Sequence, residues 1–276
     1  MSFATLRTAD GTRAARLDAD RYVLLDAVDV GDLLRRGVSQ VSETGETVPR
    51  AEADLVSVIT APRKVFCVGL NYVSHLREVN ADQPLPTYPT LFAKFADTLT
   101  GPFDDIAIPA PELSDTIDWE AELVVVVGRP LYRADEATAL EAIGGYTIAN
   151  DISMRQWQLR SSEWLQGKAW DATTPLGPVL ALPEEVDHAR GLTITCTVNG
   201  EEKQRGNTSD LLFGPAKVLS YISTFTHLEP GDIVLTGTTG GVGFVSGNRT
   251  LLQPGDVVTV AIEGIGELRN RIVAEG

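Results

Sequence analysis

Basic residues, histidine, cysteine and long apolar runs are all scarce in this 276-residue chain, and each scarcity excludes something. Lys and Arg total 23 against 38 Asp and Glu, a formal net charge of −15. A surface of that sign repels nucleic-acid phosphates and anionic lipid, so neither nucleic acid nor membrane is expected as a partner. A small anionic substrate stays open, because lysine, arginine and a bound metal can reverse the field inside one cleft. The two cysteines, Cys67 and Cys196, lie in the apolar runs KVFCVG and LTITCTV. With no CxxC pair a zinc knuckle is excluded, and two buried, reduced thiols are expected. The longest apolar runs, such as Leu123 to Val127, fall far short of the roughly 18 residues that span a bilayer. The opening MSFATLRTADGTR lacks the apolar stretch of a secretory signal, so a cytoplasmic protein is expected. What remains is a globular composition, 43% hydrophobic and 22% charged, in a chain long enough to bury its own core.

Residues 1–61 read as a small β-rich N-terminal domain. FATLRT and RAARLD are short alternating segments joined by the turn-prone Asp10-Gly11, followed by YVLL and a helix over 28–36. SETGETVPRAEA is polar and breaker-rich, and reads as a linker. From residue 62 to 276 the texture changes to β-branched runs such as ELVVVV, YTIAND, DIVLTG and DVVTVAI. The pattern predicts few helices, over 73–79, 135–142, 154–164 and 214–228. Asn199-Gly200 signals a two-residue hairpin. Strands that do not alternate regularly with helices argue against a dinucleotide-binding or βα-barrel pattern. The expected fold class is mostly β with some α (α+β), built on mixed sheets.

Three acidic positions stand out. Glu120 and Glu122 in DWEAELVVVVG are two apart, so on a strand they share a face, and Val124 and Val126 continue it. Buried like charges are costly unless a cation binds or one takes a proton; a solvated strand end is the plainer alternative. Asp151 ends the strand-like GGYTIAND, as a third oxygen ligand or as a helix N-cap. An all-oxygen set suits Mg²⁺ or Mn²⁺ rather than zinc. Among the three histidines, His188 lies in a polar loop and His227 follows a predicted helix. His75 has Glu78 three residues on, within reach on a helix, which makes either a carboxylate-oriented base or a surface ion pair. Lys168 sits between Trp164 and Trp170, placed to meet a substrate carboxylate or to snorkel at the surface. Lys94 interrupts the apolar LFAKF and poses the same question. GTTGGVGFVSG, 237–247, has no Gly-Lys-Ser/Thr, so it reads as a loop that lets backbone approach a small ligand rather than a nucleotide cradle.

Together GLNYVSHLREV, FAKF, DWEAELVVVVG, NDISMRQWQ, QGKAWDATTPLGP, TSDLLFGPAKVLSYIS, LEPGDIVLTGTTGGVG and LQPGDVVTVAIEGIGELRN resemble, in order, the motifs of the fumarylacetoacetate hydrolase family. The resemblance implies a mixed β-sandwich roll for the catalytic domain and a divalent cation, Mg²⁺ or Mn²⁺, with Ca²⁺ also found. It implies Glu120, Glu122 and Asp151 as metal carboxylates, and His75, Glu78 and Lys168 as catalytic groups. Arg155, Gln158 and Thr238 match substrate-holding positions, and Lys94 is expected to join them. Animal members place a further metal carboxylate where this chain has Val68, and Thr239 stands where the loop usually carries Pro. The chain therefore looks closer to the acylpyruvate-hydrolase side of the family. The implied reaction is hydrolysis of a carbon–carbon bond in a β-diketo acid through a pyruvate enolate. The alternative is decarboxylation or isomerisation of an oxo-dioic acid on the same site. A small anionic keto acid and a second copy of the chain, as a homodimer, are the expected partners.

Overall fold

The β-branched runs become strands whose alternation decides which layer each face enters. The computed structural model of the protein describes residues 1–82, 84–245 and 251–276. Among these the chain is mostly β, in mixed sheets, as the composition of its runs requires. Eleven strands form one sheet, ten along one path and Leu99–Thr100 paired off it with Thr174–Ala181. Its path runs from the edge Glu43–Pro49 through Arg21–Leu25, Gly11–Asp18 and Ser2–Thr8 to Thr174–Ala181. It continues through Ile143–Asn150, Ala121–Val127, Ile233–Thr238 and Val65–Gly69 to the other edge, Thr90–Lys94. A second sheet of five strands holds Glu201–Asn207, Thr193–Val198, Val257–Ile262, Gly266–Ala274 and Ile106–Ile108.

Ala121–Val127 is buried at every position, and a strand covered on both faces reads as a continuous apolar run. Leu123, Val125 and Val127 join the core that includes Ile194, Val258 and Val260 of the second sheet. Val124 and Val126 face the opposite layer, with Leu33, Cys67 and Leu235. Both cysteines are buried and unpaired, as expected.

The first four strands extend the main sheet, because Ser2 and Phe3 pair with Ala181 and Leu180. SETGETVPRAEA is not a linker throughout: residues 43–49 pair with Arg21–Leu25 as an edge strand. Its polarity reflects exposure along almost its whole length, which also guards an open edge against pairing with another chain. The Val73–Val79 helix forms as predicted. Of the helix expected over 154–164 only the turn Arg155–Gln158 forms; a second turn, Leu165–Lys168, starts just beyond it, after Trp164 at φ 63°. The second turn folds back onto the first, so that a Cβ on Gly167 would lie 2.4 Å from the Gln158 backbone nitrogen. The last predicted helix stops at Ser223, and His227 leaves it to stack on Tyr132 with centroids 3.9 Å apart.

Candidate active site

The register of two central strands assembles the carboxylates. Ala121 pairs with Asn150 and Glu122 with Ala149, which sets Glu120 opposite Asp151, whose N–H donates to the Glu120 carbonyl at 2.9 Å. Glu120 itself lies in a two-residue break between Ile117–Asp118 and Ala121–Val127, not within a strand. That break lets the side chains converge. One oxygen from each of Glu120, Glu122 and Asp151 lies within 4.8 Å of the others, and all three residues are buried.

Three cationic side chains enter the same centre. Lys168 Nζ donates to Glu120 Oε2 and to Asp151 Oδ2, each at 2.8 Å. Lys94 Nζ donates to Asp151 Oδ1 at 2.6 Å and to the Lys168 carbonyl. Arg155 Nη1 donates to Glu120 Oε1 at 2.5 Å and to Gln158 Oε1 at 2.9 Å, while its Nε donates to Asp118 Oδ2 at 2.8 Å. Among the described residues, four carboxylates, counting Asp118, therefore meet three cations, and Glu122 is the one without a cation of its own. It accepts the Gly237 N–H at 2.7 Å. Gly237 has φ 101°, and a Cβ there would meet the Val68 carbonyl at 2.8 Å, so this donor needs glycine. Burial, with Asp151 and Glu120 adding repulsion, pushes the Glu122 carboxyl well above the usual range. Burial also opposes ionisation of Glu120, but Lys168 and Arg155 outweigh it and hold that carboxyl low. A hard, all-oxygen set with one under-neutralised member fits a divalent cation, and Glu120, Glu122 and Asp151 can hold one.

On the other side stands His75, buried on its short helix, with Nδ1 3.3 Å from Glu78 Oε2. Asn71 secures the helix base, donating to the Phe213 and Thr236 carbonyls and accepting the Phe213 N–H. Glu78 also accepts the Gly241 N–H, at 3.1 Å to each oxygen. Partial burial raises its carboxyl, but the bonds from His75 and Gly241 outweigh that and leave it below the ordinary range.

A cavity of about 220 Å³ joins the two sides. His75, Glu120, Glu122, Arg155, Gln158, Lys168 and Thr238 give it a polar floor, and Leu70, Phe92, Leu159, Trp164, Val242 and Phe244 line it with apolar groups. The Trp164 indole rests on Gly69, where a Cβ would come within 2.4 Å, and packs edge-on against Phe92 at 5.7 Å. Asp151 and Glu78 sit behind this lining and act on it through Lys168 and His75. Lys94, expected at the substrate, is not among the residues lining the cavity: the strand turns it inward beneath Asp151, its side chain is fully buried, and its two hydrogen bonds are to Asp151 and the Lys168 carbonyl. Of the loop 237–247, Ser246 and Gly247 lie outside the described residues; Thr238, Val242, Phe244 and Val245 line the cavity.

Two buried residues escaped the sequence reading. Gln204 accepts the Ala121 N–H at 3.0 Å and donates to Thr238 Oγ1 at 2.8 Å and the Thr239 carbonyl at 2.9 Å, tying Thr238 to the carboxylate strand. Nothing in EEKQRG marks it. Asp118 was legible, because it precedes Glu120 and Glu122 at the same two-residue spacing.

The family described as fumarylacetoacetate (FAA) hydrolase C-terminal matches residues 64–273. The chain belongs to the fumarylacetoacetate hydrolase family. It is 40% identical over 228 residues to the mitochondrial oxaloacetate tautomerase FAHD2A of Homo sapiens, covering 82% of this chain and 71% of that protein. Among solved structures it resembles a 5-carboxymethyl-2-hydroxymuconate delta-isomerase from Mycobacterium smegmatis, at TM-score 0.84 and 31% identity over 100% of both chains. A 2-hydroxyhepta-2,4-diene-1,7-dioate isomerase from Mycobacterium marinum matches at TM-score 0.82 and 30% identity, over 100% of this chain and 99% of that one. The family match supports an enzyme, and the relatives' names point toward tautomerisation and isomerisation more than hydrolysis.

Proposed function

We propose that the protein interconverts enol and keto forms, or shifts the conjugated double bond, of a small 2-oxo acid of the oxaloacetate or oxo-dienedioate class. The observation that carries this reading is a carboxylate-oriented histidine and a buried carboxylate triad lining or underlying one cavity. A divalent cation held by Glu120, Glu122 and Asp151, Mg²⁺ or Mn²⁺ by donor type, supplies a Lewis acid for the substrate's carbonyl oxygen. Glu78 holds Nδ1 of His75, which leaves Nε2 to move the proton. In the keto-to-enol direction His75 takes a proton from the carbon beside the 2-oxo group, that C–H electron pair becomes the new C=C bond, the C=O π pair moves to the oxygen, and the protonated His75 returns its proton to that oxygen. Lys168 places a fixed positive charge where the enolate oxygen develops. Arg155, Gln158 and Thr238 orient the substrate's carboxylate.

Hydrolysis of an acylpyruvate is the second reading, favoured by the same His75–Glu78 contact. There His75 would deprotonate water, hydroxide would add to the distal carbonyl, and pyruvate would leave as its enolate. Ultraviolet absorbance of the enol separates the readings when pyruvate and CO₂ are measured in parallel, with Mg²⁺ present. The expected result is faster enol loss from oxaloacetate or an oxo-dienedioate without stoichiometric pyruvate. Pyruvate release from an acylpyruvate, with no acceleration of either enol, would replace the isomerase reading by the hydrolase one. A homodimer is the proposed assembly, and a 29.7 kDa species in light scattering at micromolar concentration would reject it.

A further inference from the structure

Asp118 joins three parts of the site that the motifs leave separate. Its carboxylate is fully buried at the end of Ile117–Asp118, two residues before Glu120. Oδ1 accepts the Trp119 N–H at 2.9 Å and the Gly243 N–H at 2.7 Å. Oδ2 accepts the Phe244 N–H at 3.0 Å and Arg155 Nε at 2.8 Å, and Arg155 Nη2 also lies 2.7 Å away. Val242, Phe244 and Val245 line the cavity on the loop these bonds fix. Trp119 Nε1 donates to the Gly241 carbonyl at 3.2 Å, and Glu78 accepts the Gly241 N–H. The loop is thus held at one end by the carboxylate that orients His75 and at the other by the carboxylate that holds Arg155.

We infer that Asp118 is a positioning residue: it latches residues 241–245 onto Arg155, so that the loop wall and the guanidinium meet the substrate as one surface. A buried anion that accepts two consecutive backbone N–H groups and a guanidinium makes charge-assisted bonds, the strong kind, in a place where no water competes. The role is to retain substrate, since Asp118 is not one of the residues lining the cavity.

The test is Asp118→Asn, which keeps the volume but turns an NH₂ toward a donor. Hydrogen exchange should accelerate at Gly243 and Phe244 by about tenfold per weakened bond, while the Leu123–Val127 amides keep their protection. Calorimetric Mg²⁺ affinity should hold, and KM should rise more than kcat falls. The kinetic arm rests on the reading above; the exchange and Mg²⁺ arms use no substrate, so they stand or fall independently of it. Unchanged exchange at Gly243 and Phe244 overturns the inference. So does loss of Mg²⁺ binding together with protection throughout the sheet, which would mean a general structural role. If Asp118→Asn does not fold, Asp118→Glu keeps the charge beside Arg155 but displaces the oxygens from the loop, and the same selective exchange is expected.

Discussion

The two halves of the site are built differently. Glu120, Glu122 and Asp151 sit on or beside strands buried on both faces; three cationic side chains lock Glu120 and Asp151, and the Gly237 N–H holds Glu122. His75 and Glu78 sit on a seven-residue helix with no side-chain N-cap, steadied by Asn71 and by a glycine loop. The difference teaches where each kind of precision is needed. Convergent carboxylates repel one another and hold position only in a framework that cannot relax. A proton-moving group needs orientation more than rigidity, and a short element leaves room for substrate to enter.

Breaking the rigid half should cost most. Asp151→Ala strands Lys94 and Lys168 as buried charges without that partner. A loss of about 3–5 kcal/mol is expected in urea unfolding, with Mg²⁺ binding abolished. In the other half, His75→Ala should cut turnover by about 10²–10⁴-fold while Mg²⁺ affinity and thermal midpoint hold, because no strand depends on it. Kinetics with calorimetry on the same variant checks both parts. A smaller fall in turnover is expected for Glu78→Gln, whose amide oxygen can still accept from Gly241 or His75 but no longer carries the charge. At the bottom of the series, Arg205→Ala removes an exposed pair with Glu202 and should change unfolding free energy by less than about 0.5 kcal/mol.

How much of this was legible follows from the same contrast. The carboxylates were readable because strand spacing is regular and acidic residues running into LVVVV are anomalous. The Val73–Val79 helix was placed to the residue. The place of Lys94 beneath Asp151 was not readable, since a lysine within an apolar strand looks the same whether it reaches substrate or a buried aspartate. The 154–164 segment was misread as one helix because apolar spacing cannot report the left-handed Trp164, which turns the chain so that Lys168 meets Asp151. Gln204 was invisible, as its partners come from three separate segments. The edge strand at 43–49 was lost to its own polarity.

Charge decides what the centre binds. Among the described residues, with the four carboxylates charged, three cations leave the centre one negative charge, and a divalent cation turns that into one positive charge, which then favours a carboxylate. Calorimetric titration of pyruvate, the smallest 2-oxo acid, tests this directly in saturating Mg²⁺ and again after exhaustive chelation. Binding should appear only with the cation present and should vanish in Glu122→Gln, a variant that keeps an acceptor for Gly237 but loses the uncompensated charge. Equal pyruvate affinity with and without Mg²⁺ would contradict the claim.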